Sequence, residues 1–159
     1  MLYVDSSALV KHYVREPGSA GLNAKLNEAS LHRPGVFVSV LGYAEILATF
    51  ARRLRENPRL KRQTELLRKE FRDDWMFELT LVELAAGVLL FIPSLVDKYP
   101  LKCSDAIHLA SALWLRDALR LTKEFGPADR SLTFVSADKQ LNRAASAEGL
   151  QVFDPQEKN

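Results

Sequence analysis

Leu2-Tyr3-Val4-Asp5-Ser6-Ser7-Ala8-Leu9-Val10 changes character in its middle. Three apolar residues stop at an acid, two serines follow, and an amphipathic run then continues to Glu16-Pro17-Gly18. An apolar run too short for a helix reads as a strand, and Asp-Ser-Ser is a composition that caps a helix N-terminus. A strand therefore ends at Asp5 and a helix follows it. A similar pattern returns late in the chain, where a strand over 132–135 gives way to Ser136-Ala137-Asp138 and a helix over 138–147.

Between these two units the same alternation continues. A second helix fits 19–28, and Pro34-Gly35 introduces a strand over 36–38. From Ser39 the period changes: Leu41, Ala44, Ile46, Leu47, Ala48 and Phe50 fit a helix reaching about residue 56. Asn57-Pro58 breaks it, Asn57 as a cap and Pro58 in a first turn that tolerates proline, and a helix over 58–75 completes a helical hairpin. Residues 77–82 alternate as a strand, 84–97 form a very apolar helix closed by Tyr99-Pro100, and 104–119 are apolar nearly all round. A last strand fits 151–153. Strands alternating with helices predict an α/β sandwich with a mainly parallel sheet. No repeat and no flexible linker interrupts the chain, so residues 1–155 read as one domain and 156–159 as a short polar tail.

The chain has 159 residues, of which 47% are hydrophobic and 26% charged, a composition that excludes disordered and collagen-like classes. Its longest apolar run covers the nine residues 84–92, whereas a membrane-spanning helix needs about 20. The acid at position 5 interrupts any signal-peptide core, and Cys103 is the sole cysteine, so neither an internal disulfide nor a cysteine-based metal site is available. A cytoplasmic protein without membrane contact is the expectation. The net charge of +2 conceals an asymmetry: over residues 52–72, nine basic side chains face three acidic ones. Arg52, Arg53, Arg55, Arg59, Lys61 and Arg62 make one wall of the hairpin basic. Such a stripe is either a solvated helical face or a phosphate-attracting surface.

In open parallel sheets, ligands gather beyond the carboxyl ends of the strands. Four acids fall there. Asp5 follows the first strand, Glu45 lies seven residues beyond Val38, Asp105 opens the apolar helix after Ser104, and Asp138 follows Val135 by three. Taken singly, Asp5, Asp105 and Asp138 are explained as helix caps, each stabilising by about 1 kcal/mol. Glu45, between apolar neighbours and Thr49, is equally compatible with an exposed stripe. Jointly they are harder to explain. Two carboxylates 4 Å apart repel by about 4 kcal/mol at an effective dielectric constant of 20, so convergence requires protonation or a cation. An all-oxygen cluster selects a hard ion such as Mg²⁺ or Mn²⁺, which suits phosphodiester chemistry.

Here the sequence resembles a known family. Tyr3-Val4-Asp5-Ser6-Ser7-Ala8-Leu9-Val10-Lys11, Glu16-Pro17-Gly18-Ser19, the stretch 41–47 around Glu45, Ser104-Asp105-Ala106-Ile107-His108-Leu109-Ala110 and Phe134-Val135-Ser136-Ala137-Asp138-Lys139 resemble PIN domains, and among them the VapC toxins of VapBC toxin–antitoxin modules. The likeness covers about residues 1–155. It implies a three-layer α/β/α sandwich with a five-stranded sheet, a protruding basic hairpin and a Mg²⁺- or Mn²⁺-dependent endoribonuclease. Asp5, Glu45 and Asp105 match the family's core acids and Asp138 the variable fourth; Gln140 and Asn142 stand where some members have a further acid, leaving one or two metals open. Ser6 and Ser136 match small polar residues that support the cluster. The resemblance also implies a homodimer and a small VapB-like antitoxin.

Other folds with an early acid fit less well. A haloacid-dehalogenase-type phosphatase needs a second acid where Ser7 stands, and a receiver domain needs an additional acid near Asp5. A housekeeping RNA-processing PIN nuclease and a non-catalytic RNA- or partner-binding PIN domain stay open as alternatives. His108, one helical turn after Asp105, reads as a half-buried structural histidine or as a neighbour of the cluster. His12 and His32 have no legible partners, Cys103 reads as a small packing residue, and Trp75 and Trp114 read as core or interface residues.

Overall fold

The computed structural model describes residues 1–30, 34–122 and 131–157. Its strands are β1 (Leu2–Val4), β2 (Val36–Ser39), β3 (Thr80–Val82), β4 (Thr133–Val135) and β5 (Gln151–Phe153). They form one sheet in the order β3-β2-β1-β4-β5, and every pairing is parallel. Central parallel strands are covered on both faces, so their residues are apolar in succession. Leu2, Tyr3 and Val4, and likewise Val36, Phe37 and Val38, are all buried.

The period of two sorts these side chains into two cores. Leu2, Val4, Val36, Val38 and Val135 face one core; Tyr3, Phe37 and Phe134 face the other. The first is closed by α1 (Ser6–Tyr13), α2 (Ser19–Ser30), α3 (Leu41–Glu56) and α4 (Lys61–Phe77), through Leu9, Leu22, Phe50 and Phe71. The second is closed by α5 (Ala86–Leu89), α6 (Ile92–Lys98), α7 (Cys103–Leu121) and α8 (Lys139–Ala147), through Val88, Leu95, Leu109 and Leu141. The fold is thus the three-layer sandwich expected. Each fully buried Leu or Phe stabilises it by roughly 1.5–3 kcal/mol.

The helical hairpin forms on α3 and α4. Asn57 ends α3 and accepts a hydrogen bond from the Arg59 amide at 3.2 Å, and Pro58 opens a 3₁₀ turn (Pro58–Leu60). Its inner wall is anchored by aromatic packing: the Phe71 ring meets Tyr13, Tyr43, Phe50 and Trp75 at centroid distances of 5.3, 5.5, 6.1 and 5.5 Å. Trp75 is buried and Trp114 partly buried, as packing residues.

Two element boundaries differ from the sequence reading. The strand expected over 77–82 is only Thr80–Val82, because α4 runs on to Phe77. Phe71 and Trp75, one turn apart and both buried, hold the last turns of α4 helical against the alternation of Phe77, Leu79 and Leu81. The helix expected over 84–97 is two helices. Pro93 lacks an amide proton and its ring excludes the carbonyl four residues back, so α5 stops at Leu89 and α6 restarts with Pro93 in its first turn. Gly87 lets α5 touch α7: a Cβ there would lie 2.5 Å from the Trp114 ring nitrogen. Gly18, with φ +94°, turns the chain after Glu16-Pro17, and a Cβ on it would meet the Pro155 carbonyl oxygen at 2.7 Å.

Cys103 is exposed, not packed. His12 does have partners, Asn23 at 2.8 Å and Asp74 at 3.8 Å. His32 lies outside the described residues, as do 158–159 of the expected polar tail. Among the described residues, no helix is long and apolar enough to cross a membrane. β1 is the strand from which the order runs outward in both directions, to β2 and β3 on one side and to β4 and β5 on the other. The crevice beyond the carboxyl ends of β1 and β4 is therefore where this topology places a ligand.

Candidate active site: carboxylates from four segments in one groove

Asp5 leaves β1 directly into that crevice. Its backbone amide donates to the Val135 carbonyl at 3.0 Å, which ties the ends of β1 and β4 together. Its side chain is 3% exposed and works as the N-cap of α1, with Oδ1 accepting from the Ala8 amide at 2.9 Å. The Ser136 hydroxyl donates to Oδ2 at 2.9 Å, and the Ser7 hydroxyl lies 2.9 and 3.0 Å from the two carboxylate oxygens. Burial pushes the Asp5 carboxyl above its ordinary value, and the nearby His108 and these hydrogen bonds pull it back only in part. Asp5 is therefore a cap and also an under-compensated buried acid.

Two serines brace it, Ser7 from the first turn of α1 and Ser136 from the end of β4. Ser136 accepts from the Asp138 amide at 3.0 Å while donating to Asp5, and Ser7 accepts from the Ala137 amide at 3.0 Å. Ser7 was not singled out in the sequence, where Ser6 and Ser136 were. The structure gives Ser6 a different neighbour, since its hydroxyl bonds to Glu45. Asp and two serines in a row left that division of labour open; the turn of α1 decides it.

Glu45 projects from the second turn of α3. Its Oε2 lies 2.7 Å from His108 Nε2, and its side chain is 26% exposed. Partial burial works to raise its pKa, but hydrogen bonds from His108, Ser6 and Ser104 prevail and hold the carboxyl below its ordinary value. Asp105 lies in the first turn of α7, and its carboxylate makes no hydrogen bond or ion pair among the described residues. Asp138 caps α8, with Oδ1 accepting from the Gln140 and Leu141 amides at 2.8 and 2.9 Å.

All four acids line one open groove of about 610 Å³. Glu16 and Glu56 line it too, so six carboxylates face three cationic side chains, Arg52, Arg53 and Lys102. The groove is a site for positive charge. Arg53 is held by Glu16 at 3.1 Å, and Glu16 is held in turn by the buried Lys11 at 3.2 Å. Arg52 and Lys102 have no ion pair among the described residues and stand free at the rim. Arg55, Arg59, Lys61 and Arg62 do not line the groove; Arg55, Arg59, Lys61 and Arg62 lie further along the hairpin, exposed. Lys102 was not foreseen, because nothing in its local sequence marks it until α7 sets it beside Asp105.

Among the described residues, no group of three or more Asp, Glu, His or Cys side chains is close enough to hold a metal ion as it stands. The donor set still fits Mg²⁺ or Mn²⁺. It is all oxygen, it is only partly satisfied by the protein, and ions of this class keep several waters and take few protein carboxylates. Thiolate or closed imidazole sites, the alternatives for softer metals, are absent among the described residues.

The sequence model of the PIN domain matches residues 2–147, and the matched span contains all four acids. The chain belongs to the PIN-domain family. This PIN domain is 28% identical over 156 residues to Ribonuclease VapC45 of Mycobacterium tuberculosis (strain CDC 1551 / Oshkosh), covering 98% of the chain and 96% of that protein. The same values hold for Ribonuclease VapC49 of Mycobacterium tuberculosis (strain ATCC 25618 / H37Rv). Its fold is similar to a chain in the crystal structure of VapBC2 from Rickettsia felis bound to a promoter DNA fragment, with a TM-score of 0.64, 12% identity and coverage of 97% and 98% of the two chains. It is similar also to a chain of a toxin–antitoxin complex from Klebsiella pneumoniae, with a TM-score of 0.61, 15% identity and coverage of 99% and 100%. The five-stranded parallel sheet and its flanking helices are thus those of the PIN fold.

Proposed function

We propose that the groove is the active site of an endoribonuclease that hydrolyses RNA phosphodiester bonds with Mg²⁺ or Mn²⁺, and that the protein is the toxin of a type II toxin–antitoxin pair. The observation that carries this reading is the meeting of Asp5, Glu45, Asp105 and Asp138, from four distant segments, in one groove with an excess of negative charge. A nucleic acid does not approach such a surface unless a cation intervenes. The two curated relatives named ribonucleases support the nuclease assignment, and the solved toxin–antitoxin complexes support a VapB-like partner.

Asp5, Glu45, Asp105 and Asp138 would hold the metal, one ion or two. A bound ion of this kind lowers the pKa of a water and neutralises charge on phosphoryl oxygens. The protein's own part is to keep the carboxylates apart and aimed: Ser7 and Ser136 clamp Asp5, and the α8 amides clamp one oxygen of Asp138. Arg52 and Lys102 supply charge for the phosphates of the strand, through contacts that do not read base identity. The exposed arginines of the hairpin extend the same attraction outward.

Exposed large apolar side chains on neighbouring stretches of the chain support a homodimer. Phe77, Leu81, Leu84, Leu89, Leu90 and Val96, around α4, β3, α5 and α6, are all exposed, Leu90 to 81%. A cytoplasmic location suits a nuclease acting on RNA. The test is RNA cleavage by purified protein with Mg²⁺ or Mn²⁺, stopped by EDTA. Asp5→Asn and Asp105→Asn are expected to abolish it with the fold retained. Binding without cleavage would favour a non-catalytic PIN domain, and metal-independent or undiminished cleavage by the variants would remove the metal site.

A further inference from the structure

His108 occupies the face of α7 that turns toward the sheet, one turn beyond Asp105, and it is 2% exposed. A buried imidazole needs partners for both nitrogens. Nε2 meets Glu45 Oε2 at 2.7 Å, and Nδ1 meets the Tyr3 hydroxyl at 3.1 Å. The three residues come from α3, α7 and β1, separated in sequence by 63 and 105 positions. Tyr3 is itself fully buried in the middle of the sheet, with its ring stacked on Phe134 at 5.6 Å.

The directions of these bonds follow from chemistry. A carboxylate only accepts, so Nε2 carries a proton and donates to Glu45. Toward Tyr3, Nδ1 accepts from the hydroxyl in the neutral ring and donates to it in the charged one, so the bond orients the ring in either form. Burial pushes the Tyr3 phenol far above its ordinary value, so the hydroxyl keeps its proton. A central strand thereby orients a histidine, which in turn fixes one carboxylate in the groove. Of the three partners of Glu45, His108, Ser6 and Ser104, only the histidine is buried, and Glu45 lines the same groove as Asp5 and Asp105.

We propose that His108, held by Tyr3, is a positioning residue that sets the Glu45 carboxylate in the groove. Its consequence for catalysis rests on the nuclease reading above; the positioning itself does not. Outer-shell partners of this kind typically change metal affinity or activity 10–100-fold when removed.

His108→Leu fills the space without a donor, and His108→Gln restores an amide donor where Nε2 stood. Crystal structures of the two full-length variants give the reading that is independent of activity. The Glu45 carboxylate is expected to leave its place in His108→Leu and keep it in His108→Gln, with α3 and α7 unmoved. If the wild-type protein cleaves RNA, His108→Leu is expected to lose roughly 10–100-fold in kcat. Its KM for RNA stays unchanged, and His108→Gln recovers most of the loss. Should wild-type protein fail to cleave while Glu45 moves as expected, the nuclease reading falls and the positioning stands. Glu45 in its original place in His108→Leu, or equal kcat losses in both variants, would overturn the inference. If His108→Leu does not fold, Tyr3→Phe is examined by the same structure, and the His108 ring nitrogens in wild type by ¹⁵N NMR. A ring protonated on Nδ1 alone, or an Nε2 resonance unmoved in Glu45→Ala, overturns it equally.

Discussion

Replacing Asp5 by Asn separates a carboxylate that merely caps a helix from one that awaits a cation. Asp5 is buried, and burial holds its carboxyl above the ordinary value. For an acid shifted in that direction, stability is fully present below the ordinary value of ~3.9 and is lost as pH rises through the folded value. At pH 7 without metal, the buried Asp5 carboxyl therefore opposes folding. Asn keeps the oxygen that accepts from the Ala8 amide and removes the charge. What it loses is bond strength: hydrogen bonds to a charged acceptor contribute about 1.5–3 kcal/mol and neutral ones about 1. What it gains is relief from burying a charge, the cause that holds the carboxyl above its ordinary value. Because burial prevails over the hydrogen bonds and His108 in setting the direction of the shift, the relief outweighs the loss. Asp5→Asn is expected to be about 1–2 kcal/mol more stable than wild type in EDTA at pH 7, or about 2–8 °C in Tm for a chain of this size. Mn²⁺ reverses the order. At 100-fold above its Kd, an ion stabilises the wild type by about 2.7 kcal/mol and the variant far less. Thermal unfolding followed by circular dichroism, with EDTA or Mn²⁺ and from pH 4 to 8, reads both effects. A variant no more stable than wild type, with Mn²⁺ leaving both unmoved, refutes the reasoning and reduces Asp5 to a cap.

Further outcomes follow from the same geometry. Arg52→Ala with Lys102→Ala, made in the inactive Asp105→Asn protein, is expected to weaken RNA binding. The slope of log K against log salt should flatten by about 1.4, the share of two single-strand phosphate contacts; an unchanged slope in filter binding would remove both residues from the RNA path. Gly18→Ala is expected to destabilise more than Gly149→Ala by urea unfolding. Both glycines have positive φ, +94° and +81°, but only at Gly18 would the new Cβ strike a backbone oxygen, that of Pro155. The shared backbone strain is about 1–2 kcal/mol, so equal losses would show that the Pro155 contact does not matter. Leu90→Glu is expected to shift sedimentation from dimer to monomer with little change in the monomer's own stability, because Leu90 is 81% exposed. A dimer that survives it places the interface elsewhere.

The architecture was legible because it depends on local grammar. Apolar triplets that end at Asp5 and Ser136, caps that begin α1 and α8, and Asn57-Pro58 between α3 and α4 are each written in neighbouring residues. The boundary errors arose where a non-local contact overrode a local pattern. Phe71 and Trp75 extend α4 through the expected start of β3, while Pro93, a local signal, was outweighed in the reading by the apolar run around it. Asp5, Glu45 and Asp138 were legible by the same grammar, since each sits after a strand or in the helix that follows it. Asp105 was marked instead by the apolar helix it opens, which follows α6 and not a strand.

The sequence by itself determined the alternation of strands and helices, and with it a parallel sheet whose carboxyl edge collects Asp5, Glu45, Asp105 and Asp138. The tertiary structure alone decided which side chains serve those acids. Ser7 takes Asp5, Ser6 and His108 take Glu45, Tyr3 stands behind His108, and Lys102 with Arg52 borders the groove while the outer hairpin arginines do not. The physical reason is range. A cap or a period acts over four residues or fewer, whereas a hydrogen bond between positions 3 and 108 exists only after β1 and α7 have been packed face to face.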